Sequence, residues 1–217
     1  MIAGAVTVWK LLPAVQRRMI AALLAAVAIA NMAQPYPDLA PLQHGPTLAL
    51  LAAAPWLLQR WPLSNRAVGC IALFLALHTL GARYIYSYVP YDDWARLLIG
   101  HDLSGTFGWT RNGYDRLVHF GFGALLTLPV AQALRRHGGM GELAALLVAF
   151  ALIGLGSALY EIFEWVLTLV AAGDTADYYN GQQGDMWDAQ KDMAIAQIGS
   201  ALAATIALAA PARAPYN

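Results

Sequence analysis

Between about Gly141 and Ala172 the chain runs through a stretch of apolar residues interrupted by Glu142, Glu161 and Glu164, the last two deep inside it. A transmembrane helix needs about 20 mostly apolar residues, so this run is long enough to cross a bilayer with room to tilt or protrude. Backbone placed in hydrocarbon must satisfy its own N–H and C=O groups, which leaves a helix or a closed barrel. The run is continuous and Ala/Leu-rich rather than alternating, which selects the helix. A charge at mid-bilayer costs roughly 2.5–3.5 kcal/mol on insertion scales. Paired acids at that depth therefore mark a functional site by default.

Similar runs fill the rest of the chain. Spans are expected at approximately 16–33, 42–59, 67–86, 114–134, 141–172 and 186–210. The second is the weakest, because Pro55 interrupts a short core that reaches back toward Leu42. With 59% hydrophobic and 12% charged residues and a mean hydropathy of +0.50, the composition lies outside that of soluble domains. The expected fold is all-α: one polytopic transmembrane bundle of about six spans forming a single domain over 1–217. The segment around Lys10, Arg17 and Arg18 superficially resembles a signal peptide, but no convincing cleavage site follows, so a retained first helix is expected.

Net charge is zero, which gives no reason to expect a nucleic-acid partner. Cys70 is the sole cysteine, so an intrachain disulfide and a thiolate metal site are excluded. Basic residues flank alternate connections: Lys10, Arg17 and Arg18, then Arg60 and Arg66, then Arg135 and Arg136, then Arg213. Acids collect in the others, at Asp38, at Asp92, Asp93 and Asp102 with Arg96 and Arg111, and at Asp174 and Asp177. The positive-inside rule then puts both termini in the cytoplasm.

With that orientation, the unusual residues share the outer half of the bundle. His78 and Arg83 come from the third span, and Asp115, Arg116 and His119 from the fourth. Glu161 and Glu164 come from the fifth, and Asp185, Asp188, Lys191 and Asp192 from the sixth. Asp115 and His119 stand four apart and share a helix face. Ser157, Glu161, Glu164 and Thr168 form one stripe, and Asp185, Asp188 and Asp192 another. The carboxylates outnumber the cations expected among them, Arg83, Arg116 and Lys191. At low dielectric, shared protons or a bound cation must balance the excess. Oxygen and imidazole donors without thiolates suit Mg²⁺, Mn²⁺, Zn²⁺ or Fe²⁺.

Blander roles compete at several positions. Asp185 with Asp188 reads equally well as a helix start, and Asp115 as a first-turn acid. His78 reads as a hydrogen-bonded interior residue. Asp92, Asp93 and Asp102 read as a solvated loop face. Tyr84, Tyr86, Tyr88, Tyr91, Trp94 and Trp109 read as an interfacial aromatic belt. Glu161 and Glu164 are interior and have no helix end to cap.

Four ordered motifs resemble the YjdF-type bacterial inner-membrane proteins: His78 to Pro90, Arg111 to Gly123, Tyr160 to Trp165, and Gly181 to Met193. The resemblance runs from the first span to the last. It implies a multi-pass inner-membrane protein and assigns no reaction. A more distant likeness is to VanZ-like membrane proteins, through Asp115-Arg116-Leu-Val-His119-Phe120, the Glu161/Glu164 pair, and Asp188 with Gly199. That likeness implies chemistry of the cell envelope. This chain departs from it in having Glu164 where those proteins typically carry Gln, and in its additional acids Asp185 and Asp192.

Three functions compete. In the first, Glu161, Glu164, His119 and Asp188 form a catalytic set on a lipid or lipid-linked envelope substrate. A divalent metal would be held by Glu161, Glu164, His119, Asp188, Asp192 and His78. Arg116, Lys191, Asp115 and Asp185 would meet the substrate. The second is a proton- or cation-coupled transporter, which six spans without a visible inverted repeat favour less unless the chain forms a homo-oligomer. The third is a non-catalytic scaffold whose polar network sets helix register.

Overall fold

The computed structural model describes residues 8–170 and 181–209, and it is all-helical there. Asp174, Asp177 and Arg213, used above for orientation, lie outside the described residues. The helices used below are, in order, α1 Ala14–Ala30, α2 Ala40–Arg60, α3 Asn65–Arg83, α4 Tyr91–Ile99, α5 Leu103–Phe107, α6 Tyr114–Gly138, α7 Glu142–Val170 and α8 Asp188–Ala209. Of these, α3, α6, α7 and α8 are long and apolar enough to cross a membrane.

Local chemistry sets several of the boundaries. Ser64 caps α3, its hydroxyl accepting from the Ala67 amide at 3.2 Å, as short polar side chains do at helix starts. Gly139, at φ 66°, closes α6 in a left-handed turn whose amide returns to the Leu134 carbonyl. The second expected span is a continuous helix of 21 residues despite Pro46 and Pro55. It extends the expected 42–59 by two residues at its start and one at its end. The connection between the third and fourth spans, which reads as a solvated loop, forms α4 and α5. Asp92 joins those two short helices by accepting the amides of Leu103 (3.0 Å) and Ser104 (2.9 Å).

α6 and α8 pack most closely. A Cβ on Gly123 would overlap the Ala196 carbonyl and the Ser200 amide, and one on Gly199 would overlap the Phe120 carbonyl and the Ala124 amide. Such close approach of backbones is how helices associate where lipid provides no hydrophobic drive. Thr127 and Ser200 share a hydrogen bond of 2.6 Å across this seam. α7 joins it through Ala145, Leu146 and Ala149, packed with Ala131 of α6, and α1, α2 and α3 share a core around Ile20, Leu23, Val27, Leu51 and Leu75. Large apolar residues meanwhile face outward, including Leu147, Leu155, Leu159, Ile198, Leu202 and Ile206. Small residues inside and Leu/Ile outside is the arrangement of a bundle whose solvent is lipid.

The helices alternate in direction, so α1, α3 and α7 end where α2, α6 and α8 begin. Arg83 fastens this end: its guanidinium donates to the carbonyls of Ala30 (2.5 Å), Met32 (2.9 Å) and Ala33 (3.4 Å). It satisfies backbone left open at the C-terminus of α1. Arg83 was expected among the cations balancing the acids and is instead spent on this cap.

Candidate functional site

The acids gather where α6 and α8 start and α7 nears its end. Tyr114 fixes the first turn of α6 to α3 by donating to the Leu77 carbonyl at 2.9 Å. Facing it, residues 181–184 make a tight turn with Gly181, Gln183 and Gly184 all at positive φ. Only glycine adopts that conformation freely. Gln183 is held there by paired bonds with the Asn112 backbone, accepting its amide (2.9 Å) and donating to its carbonyl (3.1 Å).

Arg111 locks the same corner. It donates to the carbonyls of Gly181 (3.2 Å) and Gln182 (3.4 Å) and to both carboxylate oxygens of Asp188. Burial works against its charge, and the hydrogen bonds and charge of Asp188 outweigh it, so the guanidinium sits above its ordinary pKa. Arg111 stands in the bend before α6, within the connection where the sequence puts it. Its pairing with Asp188 has no sequence signal beyond its place just before that span. Arg116 reaches Asp185 at 2.6 Å and Asp188 at 3.5 Å, and Lys191 reaches Asp185 at 2.6 Å. The Lys191 hydrogen bonds, helped by the Trp187 amide and Arg116, hold Asp185 at about 2. Asp185 also accepts the Trp187 amide at 3.1 Å in the turn that leads into α8, the role expected of an acid at a helix start. It gathers cations above the helix.

Two of the acids are thus consumed by Arg111, Arg116 and Lys191. The others lie deeper, and among the described residues no Lys or Arg comes within ion-pair distance of them. Asp115, His119 and Asp192 each place a ligand atom within 4.8 Å of the others. The His119 Nε2 is 3.7 Å from Asp115 Oδ1 and 3.4 Å from Glu161 Oε1. Glu161 Oε1 and Asp192 Oδ1 are buried without any hydrogen-bond partner, though Asp192 is only 2% exposed. A buried carboxylate oxygen left unpaired is an uncompensated cost.

The remaining expected residues fall around this centre. Glu164 is half-buried one turn from Tyr160, with which it interacts. Thr168, at the end of the expected stripe, turns away and bonds the Trp165 carbonyl at 2.6 Å. His78 uses both ring nitrogens elsewhere, on the Tyr86 hydroxyl (2.5 Å) and the Gln43 carbonyl (3.3 Å). It therefore has no nitrogen to offer a metal here. Tyr86, expected in an aromatic belt, is buried on His78. His44, which no sequence pattern singled out, is 2% exposed with neither ring nitrogen hydrogen-bonded.

Beside the centre opens a cavity of about 270 Å³. Its lining mixes the polar side chains of Asp115, His119, His78, Tyr86, Ser157 and Tyr160 with the apolar ones of Leu50, Phe74, Leu75 and Phe122.

The family profile described as "Predicted membrane protein (DUF2238)" matches residues 16–213. "Inner membrane protein YjdF" of Escherichia coli (strain K12) is 36% identical over 154 residues, which cover 70% of this chain and 66% of that protein. The chain thus spans slightly less than two thirds of the curated relative it matches. No solved structure matches the chain. The chain belongs to the DUF2238 family of YjdF-type membrane proteins, and is a multi-pass protein of the bacterial inner membrane.

Proposed function

We propose that the acid-rich end of the bundle is a divalent-cation centre, with Asp115, His119 and Asp192 as ligands and Glu161 beside them. The observation that carries this reading is the convergence of these groups with buried carboxylate oxygens that make no hydrogen bond. Carboxylate and imidazole donors suit Mg²⁺, Mn²⁺, Zn²⁺ or Fe²⁺. A bound cation of this kind polarises a phosphoryl or acyl oxygen and activates water. Glu161 and Glu164 stand by to take the proton, and Asp188 holds Arg111 in place. Arg116 and Lys191 are the groups that meet an anionic headgroup, exchanging Asp185 for it.

In this reading α1 and α2 complete six spans, both termini are cytoplasmic, and the centre faces the outer leaflet. The basic connections at Arg60, Arg66, Arg135 and Arg136 support that orientation. The substrate class is a lipid or lipid-linked molecule of the envelope.

The test is ligand-linked stability. Protein stripped with chelator and returned to Mn²⁺ or Zn²⁺ at about 100 times the dissociation constant gains roughly 2.7 kcal/mol, a rise of roughly 5–10 °C in Tm. Asp192→Asn removes that rise. Equal shifts in wild type and variant, or none in a folded wild type, overturn the centre.

A further inference from the structure

The cavity beside the acids is bounded by four helices: Pro46, Thr47 and Leu50 of α2, Phe74, Leu75 and His78 of α3, Val118 and Phe122 of α6, and Gly156 and Tyr160 of α7. α2 packs on α1 and α3, whereas α7 packs on α6 and α8. Among the described residues no extensive packing joins α2 to α7, so the space between them is a cleft. Leu50 is 41% exposed at its rim. The rings of Phe74 and Phe122, centroids 5.6 Å apart, form its floor.

One polar group of the lining is unused. Ser157 is 2% exposed, lines the cavity, and its hydroxyl has no hydrogen-bond partner. It lies one turn from Glu161 on the same face of α7. Gly156 keeps the passage open, since a Cβ there would stand 3.1 Å from the Phe122 ring. At about 270 Å³, the cavity is slightly below the roughly 300–1,000 Å³ of sites that enclose a whole small molecule. It fits part of a longer ligand.

We propose that the cleft between α2 and α7 takes the hydrocarbon chain of a membrane amphiphile, bringing its headgroup to Ser157 and to the acids of α6 and α8. A largely apolar cleft that also presents the unpartnered Ser157 hydroxyl and the Asp115 carboxylate, within a bundle bathed in lipid, matches both the chain and the headgroup of an amphiphile. This inference rests on the cation-centre reading for the fate of the headgroup. Ser157 accepts or donates one hydrogen bond to it, and Phe74, Leu75 and Phe122 contact the chain.

The experiment uses the full chain in vesicles of phosphatidylethanolamine and phosphatidylglycerol, doped with phosphatidylglycerol carrying a diazirine on its acyl chain. After irradiation, labelled residues are mapped and bound Mn²⁺ is counted on the same sample. The expected result is labelling of Phe74 and Phe122 about tenfold above that of the outward-facing Leu202 and Ile206. Leu50→Trp, which fills the mouth from an exposed position, returns cleft labelling to the level of Leu202 with bound Mn²⁺ unchanged. Labelling no stronger in the cleft than at Leu202, or unaffected by Leu50→Trp, overturns the proposal. Metal bound without cleft labelling leaves the centre standing and removes the amphiphile. Labelling without metal does the reverse. A dimer that Leu50→Trp converts to monomer assigns the cleft to a second copy of the chain instead, and also overturns it.

Discussion

Arg111 does two jobs at once, neutralising Asp188 and tying the 181–184 turn to the start of α6. Asp188 is only 4% exposed, so removing its main partner leaves a largely uncompensated buried charge, which typically costs about 3–5 kcal/mol. Arg111→Ala should therefore lower the thermal midpoint in detergent markedly. Arg111→Lys should recover only part of the loss, because an ammonium cannot bridge both carboxylate oxygens and two carbonyls together. Equal stability of wild type and Arg111→Ala would contradict this account. Asp185 gives a pH signature. Its native pKa of about 2 is below the roughly 3.9 of a free aspartate. Its contribution is fully present above about pH 4 and disappears as pH falls through about 2. The stability gap between wild type and Asp185→Asn should be flat across neutral pH and close between those values in an acid titration.

At the scale of elements, the α6–α8 seam depends on two missing side chains. Gly123→Ala should cost at least about 1–3 kcal/mol, because a Cβ meets the backbone of α8 rather than a movable side chain. Gly138→Ala, near the end of the same helix with open space around it, should be neutral or stabilising by up to about 1 kcal/mol. Comparing the two by unfolding separates close packing from glycine's own backbone entropy. The long helices were legible because apolar length alone betrays a span. α4 and α5 were not, since α4 is nine residues with three charges and α5 is five residues with a central glycine, neither long nor apolar enough to stand out. Their helicity depends on local caps such as Asp102, which accepts the Gly105 amide at 2.5 Å.

For the whole molecule, the acid layer was legible because charges inside apolar runs stand out against their neighbours. The division of labour within it was not, since Asp185, Asp188 and Asp192 share one stripe in sequence. Only the approach of Arg111 and Arg116 from α6 separates the paired acids from the unpaired one. The proposed orientation is testable in a Cys70→Ser background. Asp93→Cys should react with a membrane-impermeant maleimide in intact spheroplasts, and Arg136→Cys only after permeabilisation. The opposite pattern would invert the bundle and turn the acids toward the cytoplasm.

The most direct test counts metal. Protein purified without chelator is analysed by elemental mass spectrometry beside Asp192→Asn and Asp93→Asn, the latter altering an exposed acid paired with Arg96. The cation-centre account predicts near-stoichiometric divalent metal in wild type and Asp93→Asn and its loss in a folded Asp192→Asn. Metal-free wild type that also takes up none on addition, or equal metal in all three, would contradict it.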